Sequence, residues 1–163
     1  MAELKRHKGE LLLAEEEKRR IQHLFSEQVD HYLDSGYGEC HLKHPEIAQS
    51  IVGAFERFNG ERYYLHAWCV MPNHVDVIVE PVFGHDLSKI VHSWKSYTAH
   101  VANKVLGRSG SFWMCDAYNH IIRSERAYEF QRAYVWENPD KAGLKDWKWR
   151  WKLEPLTEIP SPS

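Results

Sequence analysis

Apolar residues recur at three- and four-residue intervals in four stretches of the chain. The first extends from Glu15 to Leu33 and ends before Gly36, the second from Pro45 to the Asn59-Gly60 turn, the third from Asp86 to Leu106, and the fourth from a Ser124 cap to Pro139. This spacing places the apolar side chains on one face of a helix. A serine cap and a following proline are typical helix boundaries. The pattern therefore predicts four amphipathic helices.

Two further stretches have the pattern of β-strands. Residues 62–70 are rich in Tyr, Trp and Val, and His74 to Glu80 alternate polar and apolar residues after a short Met71-Pro72-Asn73 segment. This pattern is typical of two strands joined by a turn. Helices that cover a small, largely antiparallel sheet form an α+β domain.

The size and composition indicate one folded domain. The chain has 163 residues, of which 43% are hydrophobic, enough to form a core. We expect a single domain over residues 1–153, with an N-terminal helical part at about residues 12–36, and a disordered proline-containing tail over 154–163. The N-terminus is charged and the chain has no apolar run of about 20 residues, which predicts a cytoplasmic protein.

The charge is unevenly distributed along the chain. The net charge is only -2, but residues 1–83 carry a net -5 and residues 84–152 a net +5. A basic second half is suited to contact with phosphate groups.

The strand from His74 to Glu80 contains residues that can bind a metal. Because successive side chains of a strand alternate between its faces, His74 and Asp76 lie on the same face. An imidazole and a carboxylate can hold a divalent ion, and a nitrogen–oxygen pair suits Mg²⁺ or Mn²⁺. A polar pair on a half-solvated strand has the same pattern, so the spacing leaves both interpretations open.

The fourth predicted helix adds a phenol and an amide. Tyr134 and Asn138 are four residues apart and project from one side of the helix. Asn138 could complete a site with His74 and Asp76, and Tyr134 would then lie beside a phosphate bound there. A core tyrosine and an asparagine that ends a helix before Pro139 are the structural alternatives.

Three segments of the chain closely resemble the REP-associated tyrosine transposases, which belong to the single-tyrosine HUH superfamily of bacterial insertion-sequence transposases. These segments are Tyr64–Glu80, His92–His100 and Tyr134–Leu144, in the same order and at the spacings of that family. The resemblance covers about residues 20–145.

The resemblance implies a ferredoxin-like α+β fold and a specific chemistry. Members of the family use a divalent metal and a helix-borne tyrosine that attacks a DNA phosphodiester and retains the 5′ phosphate, and the expected substrate is single-stranded or hairpin DNA. By motif match, the resemblance implies Tyr134 as the nucleophile and His74 and Asn138 as metal ligands. With Asp76 at the place of the family's second histidine, we expect His74, Asp76 and Asn138 to hold Mg²⁺ or Mn²⁺. REP-type palindromes are the implied substrates.

Two departures from the family pattern leave the activity open. The second metal-binding histidine of the family is Asp76 here, which adds a negative charge beside the bound phosphate. The family's first strand has no counterpart at the N-terminus, so the strand that follows His74 would have an unpaired edge. We expect that edge to be filled by Glu39 to Lys43 or by another chain, or else to mark a truncated copy.

The sequence also offers candidate DNA contacts. They are Trp94, Lys95, His120, Arg123 and Lys141. In residues 147–152 tryptophans alternate with basic residues, a pattern suited either to core packing or to base stacking. A non-catalytic DNA-binding relative that keeps the fold but not the metal is the alternative function.

Overall fold

The computed structural model describes residues 27–29, 40–114 and 120–154; for residues 27–29 and 120 it describes the backbone. In these ranges the helices are α1 (Pro45–Arg57), α2 (Leu87–Leu106) and α3 (Glu125–Lys141), with a short 3-10 turn at His41–Lys43. The strands are β1 (Glu27–Val29), β2 (Tyr63–Val70), β3 (Val75–Pro81), β4 (His120–Ile121) and β5 (Arg150–Lys152). None of the described helices has the length and apolar character needed to cross a bilayer.

The strands form one antiparallel sheet in the order β4-β1-β3-β2-β5. The first four strands have the order of a ferredoxin-like sheet, and β5 extends it beyond β2. The predicted α+β fold is confirmed.

Alternation along β3 separates two buried layers. Val75, Val77 and Val79 point to one face, where they join the core formed with α1 and α2. Ile78 points to the opposite face and packs in a smaller cluster with Tyr128 and Val135 of α3. The sheet therefore lies between a pair of helices on one side and α3 on the other.

The predicted first helix is wrong at residues 27–29, which form β1. Gln28 pairs with Ile78 of β3 and with His120 of β4, so this short strand lies inside the sheet. The edge of β3 that was expected to lack a partner is thus filled by residues 27–29, whereas His41–Lys43 form a 3-10 turn. The rest of the predicted N-terminal helix and residues 155–163 of the tail lie outside the described residues.

The end of the fourth predicted helix also needs correction. Its start agrees, because the Ser124 hydroxyl accepts a hydrogen bond from the Ala127 N–H. Pro139, however, does not end the helix, which continues to Lys141. A proline near the end of a helix removes one hydrogen bond of the last turns, and here Pro139 is buried. Asn138 is therefore a residue within α3 and not its terminator.

The tryptophans of the C-terminal strand pack against the core. Trp149 and Trp151 contact the cluster beneath α1 and α2, whereas the basic side chains of Arg150 and Lys152 lie over the ring of Trp136 on α3. Core packing is thus the observed role of these tryptophans.

The position of β1 can be tested with a proline. We expect Gln28→Pro to lower the free energy of unfolding by at least about 1 to 3 kcal/mol, because it removes a ladder hydrogen bond from an interior strand and leaves a partner unsatisfied. Gln28→Thr, which keeps the N–H, is the matched control. Urea unfolding measures both, and equal midpoints for the two variants would contradict the assignment of β1.

The two described cysteines differ in predicted reactivity. Burial, with a smaller contribution from the nearby Asp76 charge, raises the pKa of the Cys69 thiol to about 12, while Cys40 is exposed. We expect iodoacetamide to modify Cys40 in the folded protein at pH 8 and to modify Cys69 only after unfolding, as measured by peptide mass spectrometry. Because the folded-state pKa exceeds the ordinary value, the contribution of Cys69 to stability is complete below about pH 9 and is lost as the pH rises towards 12.

Candidate metal and nucleophile site

Three polar side chains meet where the β2–β3 connection faces α3. His74 lies directly before β3, Asp76 is the second residue of that strand, and Asn138 comes from α3. The Asn138 Nδ2 atom donates to Asp76 Oδ2 at 2.7 Å and lies 3.3 Å from His74 Nε2. His74 Nε2 is 3.3 Å from Asp76 Oδ2. The structure thus brings these three predicted site residues together.

Asn73 orients the imidazole of His74. The Asn73 Oδ1 atom is 2.8 Å from His74 Nδ1, and an amide oxygen can only accept, so Nδ1 carries the proton in this contact. The lone pair of a neutral imidazole is then on Nε2, which faces Asp76 and Asn138. This role was not identified in the sequence analysis, although Asn73 directly precedes His74 in the Met71-Pro72-Asn73 segment.

The carboxylate of Asp76 is almost fully removed from solvent. Asp76 is only 3% exposed, and a buried carboxylate is costly unless a donor or a cation contacts it. The Asn138 amide is such a donor. The docking of α3 on this face therefore depends in part on satisfying Asp76.

The spacing of the three side chains fits a divalent ion. Neighbouring ligands at about 2.1 Å from a six-coordinate ion lie about 3 Å apart, and the three separations here are 2.7, 3.3 and 3.3 Å. Exchanging the amide oxygen and nitrogen of Asn138 leaves the heavy atoms in place and turns an oxygen towards the other two. One imidazole nitrogen and two oxygens are ligands for Mg²⁺ or Mn²⁺ rather than for thiolate-bound metals. The described ranges contain no group of three or more His, Cys, Asp or Glu residues placed to hold a metal ion, and the third candidate ligand here is the amide of Asn138.

Tyr134 lies on the same helix, one turn before Asn138. Its side chain is 39% exposed, so the phenol is not enclosed in the core. The Lys141 Nζ atom lies 5.5 Å from the centre of the Tyr134 ring and forms an ion pair with Glu137 at 3.1 Å. Tyr134, Asn138 and Lys141 are spaced by four and three residues, so they line one stripe of α3.

A family model described as "Transposase IS200 like" matches residues 44–138, which is more than half of the chain and includes His74, Asp76, Tyr134 and Asn138. The chain belongs to the IS200-like transposase family. The resemblance inferred from the three sequence segments is confirmed.

The transposase is also similar to a solved structure titled "Structure of the REP associates tyrosine transposase bound to a REP hairpin". The TM-score is 0.58 and the sequence identity is 19%, with 85% of this chain and 90% of that chain covered. At this identity the comparison shows a shared fold. No curated protein matches the chain.

The predicted DNA contacts of the transposase do not form one surface. Trp94 is wrong as a contact, because it is only 4% exposed and its indole N–H donates to the Tyr63 hydroxyl within the core. Lys95 is also on α2, which covers the sheet face opposite α3. Arg123 is exposed just before α3, and Lys141 is exposed beside Tyr134. The backbone of His120 pairs with Gln28 in the sheet, while its side chain lies outside the description.

The metal-binding prediction can be tested without DNA. We expect His74→Ala to weaken Mn²⁺ binding by more than about 100-fold and Asn73→Ala by about 10- to 100-fold, because the first removes a ligand and the second removes the group that orients it. Electron paramagnetic resonance of free Mn²⁺ gives both affinities. His92→Ala, an exposed histidine on α2, is the control and should bind as the unmodified protein does. Equal affinities for all three variants would exclude His74 as a ligand.

Proposed function

We propose that this transposase cleaves and rejoins single-stranded or hairpin DNA with Tyr134 as the nucleophile and a divalent ion held by His74, Asp76 and Asn138. The observation that supports it is the convergence of the three ligands beside the helical turn that presents Tyr134. A buried carboxylate, an oriented imidazole and an accessible phenol on the same face of one sheet are the groups that this reaction needs.

The reaction transfers the 5′ phosphate of the DNA from a 3′ oxygen to the Tyr134 oxygen. The Tyr134 oxygen attacks the phosphorus atom and loses its proton to solvent, and the bond from phosphorus to the 3′ oxygen breaks. The 3′ oxygen leaves and takes up a proton as a free hydroxyl, while the 5′ phosphate remains on Tyr134 as an ester. Attack by the released or another 3′ hydroxyl reverses these steps and rejoins the strand. Because the ester keeps the phosphodiester energy, rejoining requires no cofactor of high energy.

A divalent ion held by His74, Asp76 and Asn138 would supply charge neutralisation at the scissile phosphate and would favour the ionised phenol. An ordinary tyrosine has a pKa of about 10, so attack at neutral pH benefits from nearby positive charge. Lys141 provides a second source, since its ammonium group lies against the Tyr134 ring. In our proposal Lys141 also contacts the DNA phosphate next to the one that is cleaved, and Arg123 contacts the backbone near the start of α3.

Asp76 makes this site more anionic than one with two histidines. A carboxylate is a hard ligand and increases the preference for Mg²⁺ or Mn²⁺. It also reduces the net positive charge that a bound ion offers to phosphate. We infer that binding of the substrate depends correspondingly more on basic residues of the second half of the chain, where the net charge from 84 to 152 is +5.

The fold and the solved structure similar to it support the proposed substrate class. The solved structure of similar fold is titled as bound to a REP hairpin. The scissile phosphate must also reach Tyr134, which lies on a helix surface between the candidate metal ligands and Lys141. An unpaired strand beside a hairpin can approach such a position more easily than a continuous duplex can. We therefore propose a hairpin with a single-stranded flank as the substrate.

The nucleophile can be identified by trapping. With a 3′-labelled hairpin oligonucleotide that carries a 5′ single-stranded flank, and with Mn²⁺, we expect a covalent protein–DNA adduct on a denaturing gel. Tyr134→Phe should reduce it to background, because only the attacking hydroxyl is lost. Tyr97→Phe, which changes an exposed tyrosine on α2, is the matched control and should leave the adduct unchanged. An adduct that persists in Tyr134→Phe would assign the nucleophile elsewhere.

Metal removal separates catalysis from simple binding. EDTA should abolish the adduct, and Mn²⁺ or Mg²⁺ should restore it. The alternative of a non-catalytic DNA-binding protein predicts no adduct under any condition, together with hairpin binding that EDTA does not alter and that falls steeply as salt increases.

A further inference from the structure

A second group of polar side chains lies on the α3 side of the sheet, away from the metal ligands. His66 of β2 is its centre: Nε2 lies 2.7 Å from Glu80 Oε2 on β3, and Nδ1 lies 2.7 Å from the Tyr128 hydroxyl on α3. Glu80 and Tyr128 are 8% and 7% exposed, and His66 is half-buried. We call this group the Glu80–His66–Tyr128 chain.

The hydrogen-bond donors and acceptors of the Glu80–His66–Tyr128 chain are complementary. The neutral histidine with its proton on Nε2 donates to the Glu80 carboxylate and accepts from the Tyr128 hydroxyl at Nδ1. Burial raises the pKa of Tyr128 above its ordinary value, so the phenol stays protonated and remains a donor. The same effect makes Tyr128 unsuitable as a second nucleophile. The rings of His66 and Tyr128 also meet edge to face, with centres 5.3 Å apart.

The Glu80–His66–Tyr128 chain links the sheet to α3, a helix with few buried residues. Of the 17 residues of α3, only Tyr128, Val135 and Pro139 are buried. Apolar contacts alone resist sliding and rotation weakly, whereas a hydrogen bond has a preferred distance and direction. Glu80 is held in the interior although its Oε1 atom has no hydrogen-bond partner. A buried carboxylate with one unsatisfied oxygen is costly, so the placement of Glu80 depends on its contact with His66.

Along α3, Tyr134 lies between two residues that hydrogen-bond to the sheet. Tyr128 hydrogen-bonds to the sheet in the first half of the helix, and Asn138 does so near its end. Tyr134 lies between them, six residues or about 9 Å beyond Tyr128 at 1.5 Å per residue. A displacement of about 1 Å at a reacting group can lower a rate about 100-fold. The axial position and the rotation of α3 therefore matter for the reach of the phenol.

We propose that His66, oriented by Glu80, is a positioning residue that acts through Tyr128 to set the placement of α3 and hence of the Tyr134 hydroxyl at the scissile phosphate. This inference rests on the proposed function of Tyr134. It assigns a role to side chains that are not members of the proposed set of metal ligands and nucleophile.

The test compares two changes in the same helix. Tyr128→Phe removes only the hydroxyl, whereas Val135→Ala removes apolar packing and no hydrogen bond. With the labelled hairpin and Mn²⁺, we expect Tyr128→Phe to lower the single-turnover rate of adduct formation at saturating DNA about 10- to 100-fold while the hairpin Kd changes less than about 2-fold. Val135→Ala should lower the melting temperature more and the rate less. If the rates of the two variants simply follow their melting temperatures, the role is structural and the proposal is overturned.

Conservative changes of Glu80 give a second measurement. Glu80→Gln keeps an oxygen that accepts from His66, so we expect its rate within about 3-fold of the unmodified protein. Glu80→Leu removes the acceptor and should reproduce the rate loss of Tyr128→Phe. Mn²⁺ affinity should be unchanged in both, because the ligands lie at the other end of α3. Equal rates for Gln and Leu would exclude the proposed orientation of His66.

Amide hydrogen exchange keeps this inference distinct from the proposed function. If the unmodified protein forms no adduct, the proposed role of Tyr134 is contradicted. The effect of the Glu80–His66–Tyr128 chain on the placement of α3 can still be tested. Tyr128→Phe should increase exchange in the first half of α3, at about residues 128–134, more than at 136–141. Exchange that is unchanged throughout α3 would show that the chain does not position the helix.

Discussion

The candidate site depends on how the protein satisfies a carboxylate that it has buried. Asp76 is in the second position of β3 and is nearly inaccessible to solvent. Such a group requires a donor or a cation, and the donor in this structure is the Asn138 amide of α3. The same contact therefore contributes to docking the helix and to gathering the ligands. A divalent ion held by His74, Asp76 and Asn138 would also neutralise this carboxylate.

The two faces of the sheet divide stability and chemistry between them. The face under α1 and α2 contains most of the large buried side chains and few polar ones. The face under α3 has a smaller apolar cluster, joined by two hydrogen-bonded groups centred on His66 and on Asp76. Directional contacts and apolar burial thus both hold α3 on the sheet.

The interior strand β1 provides the partner that the sequence analysis did not find for the edge of β3. Residues 27–29 pair on both sides, with β3 and with β4. Three residues are too few to show a period of two against one of 3.6, and the apolar residues around them fit a helix equally well. Pairing with two strands that are distant in sequence decides the conformation, and no local pattern contains that information.

The sequence alone determined the strand pair around His74, the three described helices to within a few residues, and the Ser124 cap. These features depend on local spacing, so they are visible in one chain. Only the tertiary structure decided that residues 27–29 form a strand, that Pro139 lies inside α3, that Trp94 is buried, and that Asn73 and His66 hydrogen-bond to other side chains. Each of these depends on which surfaces meet after folding. A tryptophan on a helix or a histidine in a strand has the same local signal whether it faces solvent, DNA or another element of the protein.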